Sequence, residues 1–148
     1  MRHLFLRIFL WFWAAMAAHA PTRTGGLLQR TPDGNNVKAN LAKAETFCRR
    51  AAEAGADVAL MPEMWSIGYT RPEPDNPESW AAFERAALAR EDAQIQAFSR
   101  IARELDLAIG VTYLEKHPSG LRNTLTLFDP HGAEGITYAK VHTSDFKH

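Results

Sequence analysis

The chain has 148 residues, a length that suits one domain or part of a larger one. Apolar residues make up 46% of it and charged residues 23%, as in ordinary globular proteins. Seventeen basic and seventeen acidic side chains cancel, so we expect no partnership with nucleic acid. The single cysteine, Cys48, excludes a disulfide framework within the chain and a zinc site made of several thiolates.

Residues 1–20 differ from the rest of the chain. They combine a basic start, an apolar run of eleven residues (IFLWFWAAMAA, 8–18) and a small-x-small ending at 18–20. This pattern is typical of a secretory signal peptide. The run is too short for a membrane span, which takes about 20 residues, so we expect no stable span. A spurious hydrophobic extension from a misplaced start is an equally favoured alternative. We therefore divide the chain into an extension, 1–24, and a folded part, 25–148.

The folded part opens with a predicted strand, helix and strand. Residues 25–30 suit a short strand, and Asn35 or Asn36 then offers a helix N-cap. Apolar residues at helical spacing follow: Leu41, Ala44, Phe47, Cys48, Ala51 and Ala52. Gly55 marks the end of this helix. The apolar run at 57–61 predicts a buried strand.

The second half changes from helical to strand periodicity. Residues 70–79 contain three prolines and are expected to form a surface loop, with a helix over 79–90. Asp92 is a plausible cap for a second amphipathic helix, whose apolar residues are Ile95, Phe98, Ile101, Ala102 and Leu105. Three strands are predicted after it, at 107–114, 123–129 and 135–141. The order β-α-β-α-α-β-β-β indicates an α/β protein whose last strands are joined by tight hairpins.

Two charged residues stand at the ends of apolar strands. Glu63 follows strand 57–61 directly after Pro62, and Lys140 lies near the end of strand 135–141. Strand ends are where α/β folds usually build their sites. A carboxylate and an ammonium group lower each other's cost of burial, so the two make sense as a pair. From spacing alone, a structural ion pair is slightly favoured over a catalytic one.

Two ordered motifs give this chain a resemblance to a known family. The stretch NNVKANLAKAETFCRRAAEAGADVALMPEMWSIGY resembles the opening of a carbon–nitrogen hydrolase of the nitrilase superfamily, with its helix, G-A-D, apolar strand, P-E and aromatic G-Y. Further on, LAIGVTYLEK, RNTLTLFDPHG and YAKVHTSDF resemble the second signature of the family, which ends in Y-x-K-x-H. The resemblance covers residues 26–147.

The resemblance implies a nitrilase-like α-β-β-α sandwich, incomplete in this chain, with helices outside two packed sheets. It also implies hydrolysis of a small amide, N-carbamoyl compound or nitrile through a Glu-Lys-Cys triad, without a metal or cofactor. Glu63 matches the general base of the triad. Lys140 matches the cation that stabilises the tetrahedral intermediate.

The sequence departs from the family at the nucleophile. The family's catalytic cysteine, and a supporting glutamate found in many members, lie beyond the Y-x-K-x-H stretch. Cys48 is no substitute, because it sits on the apolar stripe of a helix, where burial makes a thiol inert. The chain therefore resembles the N-terminal part of the enzyme and is expected to be inactive alone. The alternative is a non-catalytic fragment or an interaction module. The resemblance also implies a homo-oligomer in the cytoplasm, or an exported protein if residues 1–20 act as a signal.

Five other residues are weaker candidates for the site. His142 follows Lys140 by two positions and would face the same way on a strand, but a solvent-facing loop histidine is as well supported. His142 and Asp145 are metal ligands by type, without a third partner. Glu115 matches a family glutamate, although a surface charge at a hairpin end is favoured. Trp65 and Tyr69 would wall a pocket or, more simply, pack in the core.

Overall fold

A computed structural model describes residues 24–27 and 31–141 of the protein. Its elements in chain order are β1 (Gly25–Leu27), α1 (Val37–Glu53), β2 (Val58–Leu60), a 3₁₀ turn (Trp65–Ile67), α2 (Pro77–Arg85), α3 (Ala93–Leu105), β3 (Ala108–His117), β4 (Gly120–Phe128) and β5 (Glu134–Ala139). The predicted order of helices and strands is confirmed. The signal-like segment predicted over residues 1–20 lies outside the described part.

The five strands form one mixed sheet in the order β1-β2-β3-β4-β5. Strands β1, β2 and β3 are parallel, and β3, β4 and β5 are joined as antiparallel hairpins. Because β4 runs against both of its neighbours, β2, β3 and β5 all point the same way. The end of β2, the beginning of β4 and the end of β5 therefore meet at one edge of the sheet, which we call the carboxyl edge.

Helix α1 forms where its sequence provides a cap and an apolar stripe. The Asn36 side chain accepts a hydrogen bond from the backbone N–H of Ala39 at 3.1 Å, as an N-cap residue does. The stripe predicted from the sequence is buried at Leu41, Ala44, Cys48 and Ala51. After the helix, Gly55 takes a left-handed backbone with φ of 77°, a conformation that glycine adopts at little cost.

Helices α1 and α3 cover one face of the sheet and form the main core. Residues Ile95, Phe98 and Ile101 of α3 pack in one buried cluster with strand residues Ile109, Val111, Tyr113 and Phe128. Asp92 caps α3 as predicted, since its carboxylate accepts from the backbone N–H of Gln94 at 2.8 Å. The alternation of β3 and β4 places their remaining residues on the opposite face.

This opposite face, which we call the outer face, carries apolar side chains. Its members are Leu60, Leu125, Leu127, Ile136 and Tyr138, as the strand register indicates. Ile136 is 44% exposed and Tyr138 is 54% exposed, while the other three are half-buried. Within the described residues, the outer face is thus the less covered side of the sheet.

Several element boundaries differ from the predictions for physical reasons. The loop expected over 70–79 ends early, because Pro77 begins α2, and proline suits the first turn of a helix, where no N–H partner is needed. Helix α2 ends at Arg85 rather than at residue 90. Leu88 instead bonds to the edge of β3, donating to the Leu114 carbonyl at 3.0 Å and accepting from the Lys116 N–H at 2.9 Å.

The strands themselves shift by a few residues from the predicted bounds. Strand β2 is shorter than the predicted 57–61, and β5 ends at Ala139 rather than at 141. The hairpin of β3 and β4 is longer than expected, since pairing extends to His117 and Gly120. Within residues 24–27 and 31–141, no helix combines the length and the apolar character needed to cross a membrane.

Candidate active site

Glu63 lies in a tightly held loop that follows β2. Two non-glycine residues of this loop, Met64 and Tyr69, have positive φ angles of 55° and 57°. Such conformations cost on the order of 1–3 kcal/mol each and persist where the surroundings fix them. A β-carbon on Gly68 would collide with the carbonyl oxygen of Gly34, so the loop also requires glycine at this position. The backbone around Glu63 is therefore set by its neighbours.

The Thr112 hydroxyl clamps this loop to β3. Its Oγ1 donates to the Pro62 carbonyl and accepts from the Trp65 backbone N–H at 3.2 Å. These two bonds fix the chain on both sides of Glu63. Ser66 adds a third tie, since its hydroxyl oxygen accepts from the Leu114 N–H at 3.1 Å.

Asn40 of α1 ties the same loop to the helix layer. This fully buried side chain donates to the Ser66 carbonyl at 3.2 Å and to the Gly34 carbonyl at 2.9 Å. The Asn40 carbonyl accepts from the Trp65 indole N–H at 2.6 Å. Since buried polar groups are costly unless paired, these bonds favour one conformation of the loop.

Glu63 and Lys140 meet at the carboxyl edge. Lys140 Nζ lies 2.7 Å from Glu63 Oε1, in an ion pair whose side chains are 23% and 35% exposed respectively. Asn123 Nδ2 donates to the same oxygen at 2.6 Å. The backbone N–H of Lys140 donates to the Asn123 carbonyl at 2.8 Å. Asn123 of β4 and Lys140, directly after β5, thus both donate to one carboxylate oxygen of Glu63, in the loop after β2.

The residues beside Glu63 in the sequence are apolar, whereas the side chains that donate to its carboxylate are polar. Met61 and Trp65 are buried in the main core, and Met64 is buried in a second, smaller apolar cluster with Ile67, Phe83 and Leu114. Glu63 itself is half-buried. Its carboxylate accepts hydrogen bonds from Asn123 and Lys140. The sequence analysis did not identify Asn123 as a site residue, although Asn123 lies in the quoted motif RNTLTLFDPHG.

Glu115 corrects a sequence prediction. It was expected to be a surface charge at a hairpin end, but it is buried on the face covered by helices. Its carboxylate accepts from the Thr124 hydroxyl at 2.7 Å. The segment around Leu88 pairs with the edge of β3 at Glu115.

The other candidates divide between core, surface and undescribed residues. Trp65 is buried in the main core, as the prediction of core packing requires, whereas Tyr69 is exposed. Cys48 is fully buried, and burial, with Glu45 nearby, raises the pKa of its thiol to about 12, so it is inert as expected. His142 and Asp145 lie outside the described residues. Within the described part, no three potential ligands cluster as a metal site would require.

Comparison with known proteins decides the family. The family model for carbon–nitrogen hydrolases matches residues 26–147. The chain belongs to the carbon–nitrogen hydrolase family. It is similar to an aliphatic nitrilase from Sinorhizobium fredii (strain HH103), with 26% identity over 119 residues that cover 74% of this chain and 39% of the relative. It is equally similar to an N-carbamoylputrescine amidase from Arabidopsis thaliana, with 26% identity over 75% of this chain and 36% of the relative.

Solved structures give the same result for the fold. The amidase NitN from Nesterenkonia sp. AN1 matches with a TM-score of 0.65 and 26% identity, over 84% of this chain and 46% of that structure. A carbon–nitrogen hydrolase from Helicobacter pylori G27 matches with a TM-score of 0.63 at 20% identity, over 83% of this chain and 41% of that structure. The predictions of the nitrilase superfamily and of a nitrilase-type α/β fold are confirmed. The chain spans less than half the length of each of these relatives.

Proposed function

We propose that this carbon–nitrogen hydrolase chain contributes Glu63 and Lys140 to a Glu-Lys-Cys site that hydrolyses a small amide, N-carbamoyl compound or nitrile. The observation that supports it best is the 2.7 Å contact between Glu63 Oε1 and Lys140 Nζ at the carboxyl edge. The family supports the reaction class, and the nitrilase and amidases among its relatives support the range of substrates.

The chemistry assigned to the two residues follows from their charges. With an amide substrate, Glu63 takes the proton of a cysteine thiol, and the sulfur forms a bond to the carbonyl carbon. The Lys140 ammonium stabilises the negative charge that develops on the substrate oxygen. Glu63 then returns the proton to the amine as the C–N bond breaks. In the second half of the reaction, Glu63 takes a proton from water as the water oxygen bonds to the carbonyl carbon. The C–S bond then breaks, the acid leaves, and Glu63 returns the proton to the cysteine sulfur.

The nucleophile in this proposal is not Cys48. Its thiol is fully buried among the core residues of α1, and its raised pKa keeps it protonated. As it is the single cysteine of the sequence, we propose that residues 1–148 are inactive alone. Activity then requires a segment or a partner that supplies a cysteine beside Glu63 and Lys140.

An ammonia-release assay tests the proposal. Its substrates are a short aliphatic amide, an N-carbamoyl amine and an aliphatic nitrile, each given to residues 1–148 with and without a cysteine-bearing segment. We expect turnover only when that segment is added to the chain. The Glu63→Gln and Lys140→Ala variants should lose this turnover. Glu84→Gln and Lys38→Ala are the matched controls, because both residues are exposed. These two variants should keep the turnover. Turnover that survives Glu63→Gln contradicts the proposed base, and turnover by residues 1–148 that survives Cys48→Ala reveals another nucleophile.

The outer face favours a second candidate, an interaction module without catalysis. Its exposed Ile136 and Tyr138 form an apolar surface that suits contact with another sheet. This candidate predicts a stable complex with no ammonia release from any of the three substrates. Reading the coding sequence beyond His148 separates the two: a strand that carries a cysteine supports the hydrolase, and a stop followed by unrelated sequence supports the module.

A further inference from the structure

We propose that Asn123 is a positioning residue for Glu63, and that it leaves Oε2 as the carboxylate oxygen that takes and returns the proton. This proposal rests on the proposed function and assigns a residue that the sequence motifs left without a role. Asn123 touches both members of the pair, with its side chain on Glu63 and its backbone carbonyl on Lys140.

The contact between Asn123 and Glu63 has one possible polarity. A carboxylate oxygen only accepts, so the amide nitrogen of Asn123 must face it and donate. The Nδ2–Oε1 distance of 2.6 Å is short, as in hydrogen bonds to a charged acceptor. Lys140 Nζ donates to the same oxygen at 2.7 Å. These two donors occupy the lone pairs of Oε1, so Oε2, to which no described residue donates, is the oxygen left to take a proton.

Asn123 is the most rigid of the three groups. It lies within β4 opposite Leu114 of β3, and β4 is bonded to a strand on each side. Its amide is two rotatable bonds from that backbone. Lys140 follows the last residue of β5 and carries its charge on a flexible four-carbon stem. The sheet therefore fixes the Asn123 amide, and the amide fixes the Glu63 carboxylate. The Lys140 ammonium group then binds a carboxylate that is already oriented.

This arrangement matters for catalysis because proton transfer depends on orientation. A misplacement of about 1 Å in an active site costs on the order of 10²-fold in rate. A carboxylate tied only to a lysine stem would turn about its own bonds and present either oxygen. A structural role for Asn123 in the strand is the competing account, and it predicts a change in stability without a specific effect on Glu63.

The test compares two replacements of similar size with a neighbouring control. Asn123→Leu removes the donor, and Asn123→Asp keeps the shape but does not donate when ionised. Arg122→Leu changes the next residue of the same strand, whose guanidinium bonds to Ser119 and not to the pair. Three-bond NMR couplings report the rotamers of the Glu63 side chain, and thermal melts report the stability of each variant.

We expect one Glu63 rotamer in the wild type and in Arg122→Leu, and averaged rotamers in both Asn123 variants at pH 7. In the active protein, meaning the chain together with the cysteine-bearing segment, the Asn123 variants should have a kcat lower by about 10- to 100-fold. Their KM should change by less than about twofold. Asn123→Asp should recover kcat relative to Asn123→Leu as the pH falls, because a protonated carboxyl donates again.

A single wild-type rotamer of Glu63 in both Asn123 variants overturns the proposal. So does a loss of kcat that is equal in Asn123→Leu and Arg122→Leu and follows their melting temperatures. If the wild-type chain releases no ammonia even with the cysteine-bearing segment, the proposed function fails by itself. The rotamers of Glu63 then still decide whether Asn123 positions it.

Discussion

Lys140 Nζ contacts Glu63 Oε1 at 2.7 Å although 77 positions separate the two residues in the chain. The contact follows from the sheet, because β2 and β5 point the same way and end at the carboxyl edge. Both side chains retain some exposure, so the pair adds little to stability, about 0–1 kcal/mol for such pairs. A contribution of this size agrees with the catalytic role proposed for the pair, which variants of both residues test.

Removing Lys140 should affect turnover far more than stability. In the active protein, we expect Lys140→Ala to lower kcat by about 10²–10³-fold, since one stabilising donor for the oxyanion is lost. The melting temperature should change little, because the ion pair is partly exposed. Steady-state kinetics and calorimetry on the same sample measure both. A large loss of stability with near-normal kcat would instead identify a structural ion pair.

The Thr112 clamp gives a prediction about the loop that carries Glu63. Thr112→Val removes the hydroxyl that bonds both Pro62 and Trp65, and should cost about 1–3 kcal/mol in the free energy of unfolding. Denaturant titration measures this cost. Thr46→Val is the matched control, since that exposed hydroxyl bonds only within α1. Equal effects at the two positions would show that the clamp does not hold the loop.

The sequence predicted the two charged members of the pair because each ends an apolar strand, a pattern visible in local composition. Asn123 was not predicted, since its role depends on the register that sets β4 between its two neighbours. Glu115 was predicted wrongly for a related reason. Glu115 is buried where it bonds to Thr124 of the neighbouring strand, and Leu88, 27 positions earlier, pairs with β3 at the same residue. Local patterns indicate which residues end strands, but contacts between distant segments decide what covers them.

Cys48 should be unreactive until the protein unfolds. Burial raises the pKa of its thiol to about 12, above the ordinary value of 9.0, so the folded state retains a proton that the unfolded state loses. The contribution of Cys48 to the free energy of unfolding is therefore complete below about pH 9, and it is lost as the pH rises towards 12. We expect Cys48→Ala to flatten the alkaline part of the stability curve. Native protein at pH 8 should resist iodoacetamide, and rapid labelling without unfolding would contradict the burial of Cys48.

The outer face should cause residues 1–148 to associate when they are purified alone. Ile136 and Tyr138 are exposed on β5, which within the described residues bonds on one side only, to β4. Apolar patches and open strand edges both favour association. Burying a few hundred Å² of such surface is worth several kcal/mol, at roughly 25 cal/mol per Å².

Paired substitutions test whether this face is responsible. We expect Ile136→Lys combined with Tyr138→Lys to shift the chain from oligomers or aggregates towards monomer in size-exclusion chromatography. Ala42→Lys, on the exposed side of α1, adds positive charge elsewhere and should leave association unchanged. If Ala42→Lys disperses the protein as well, net charge and not the outer face governs association. A wild-type chain that runs as a monodisperse monomer with a cooperative melt would show that the outer face needs no cover.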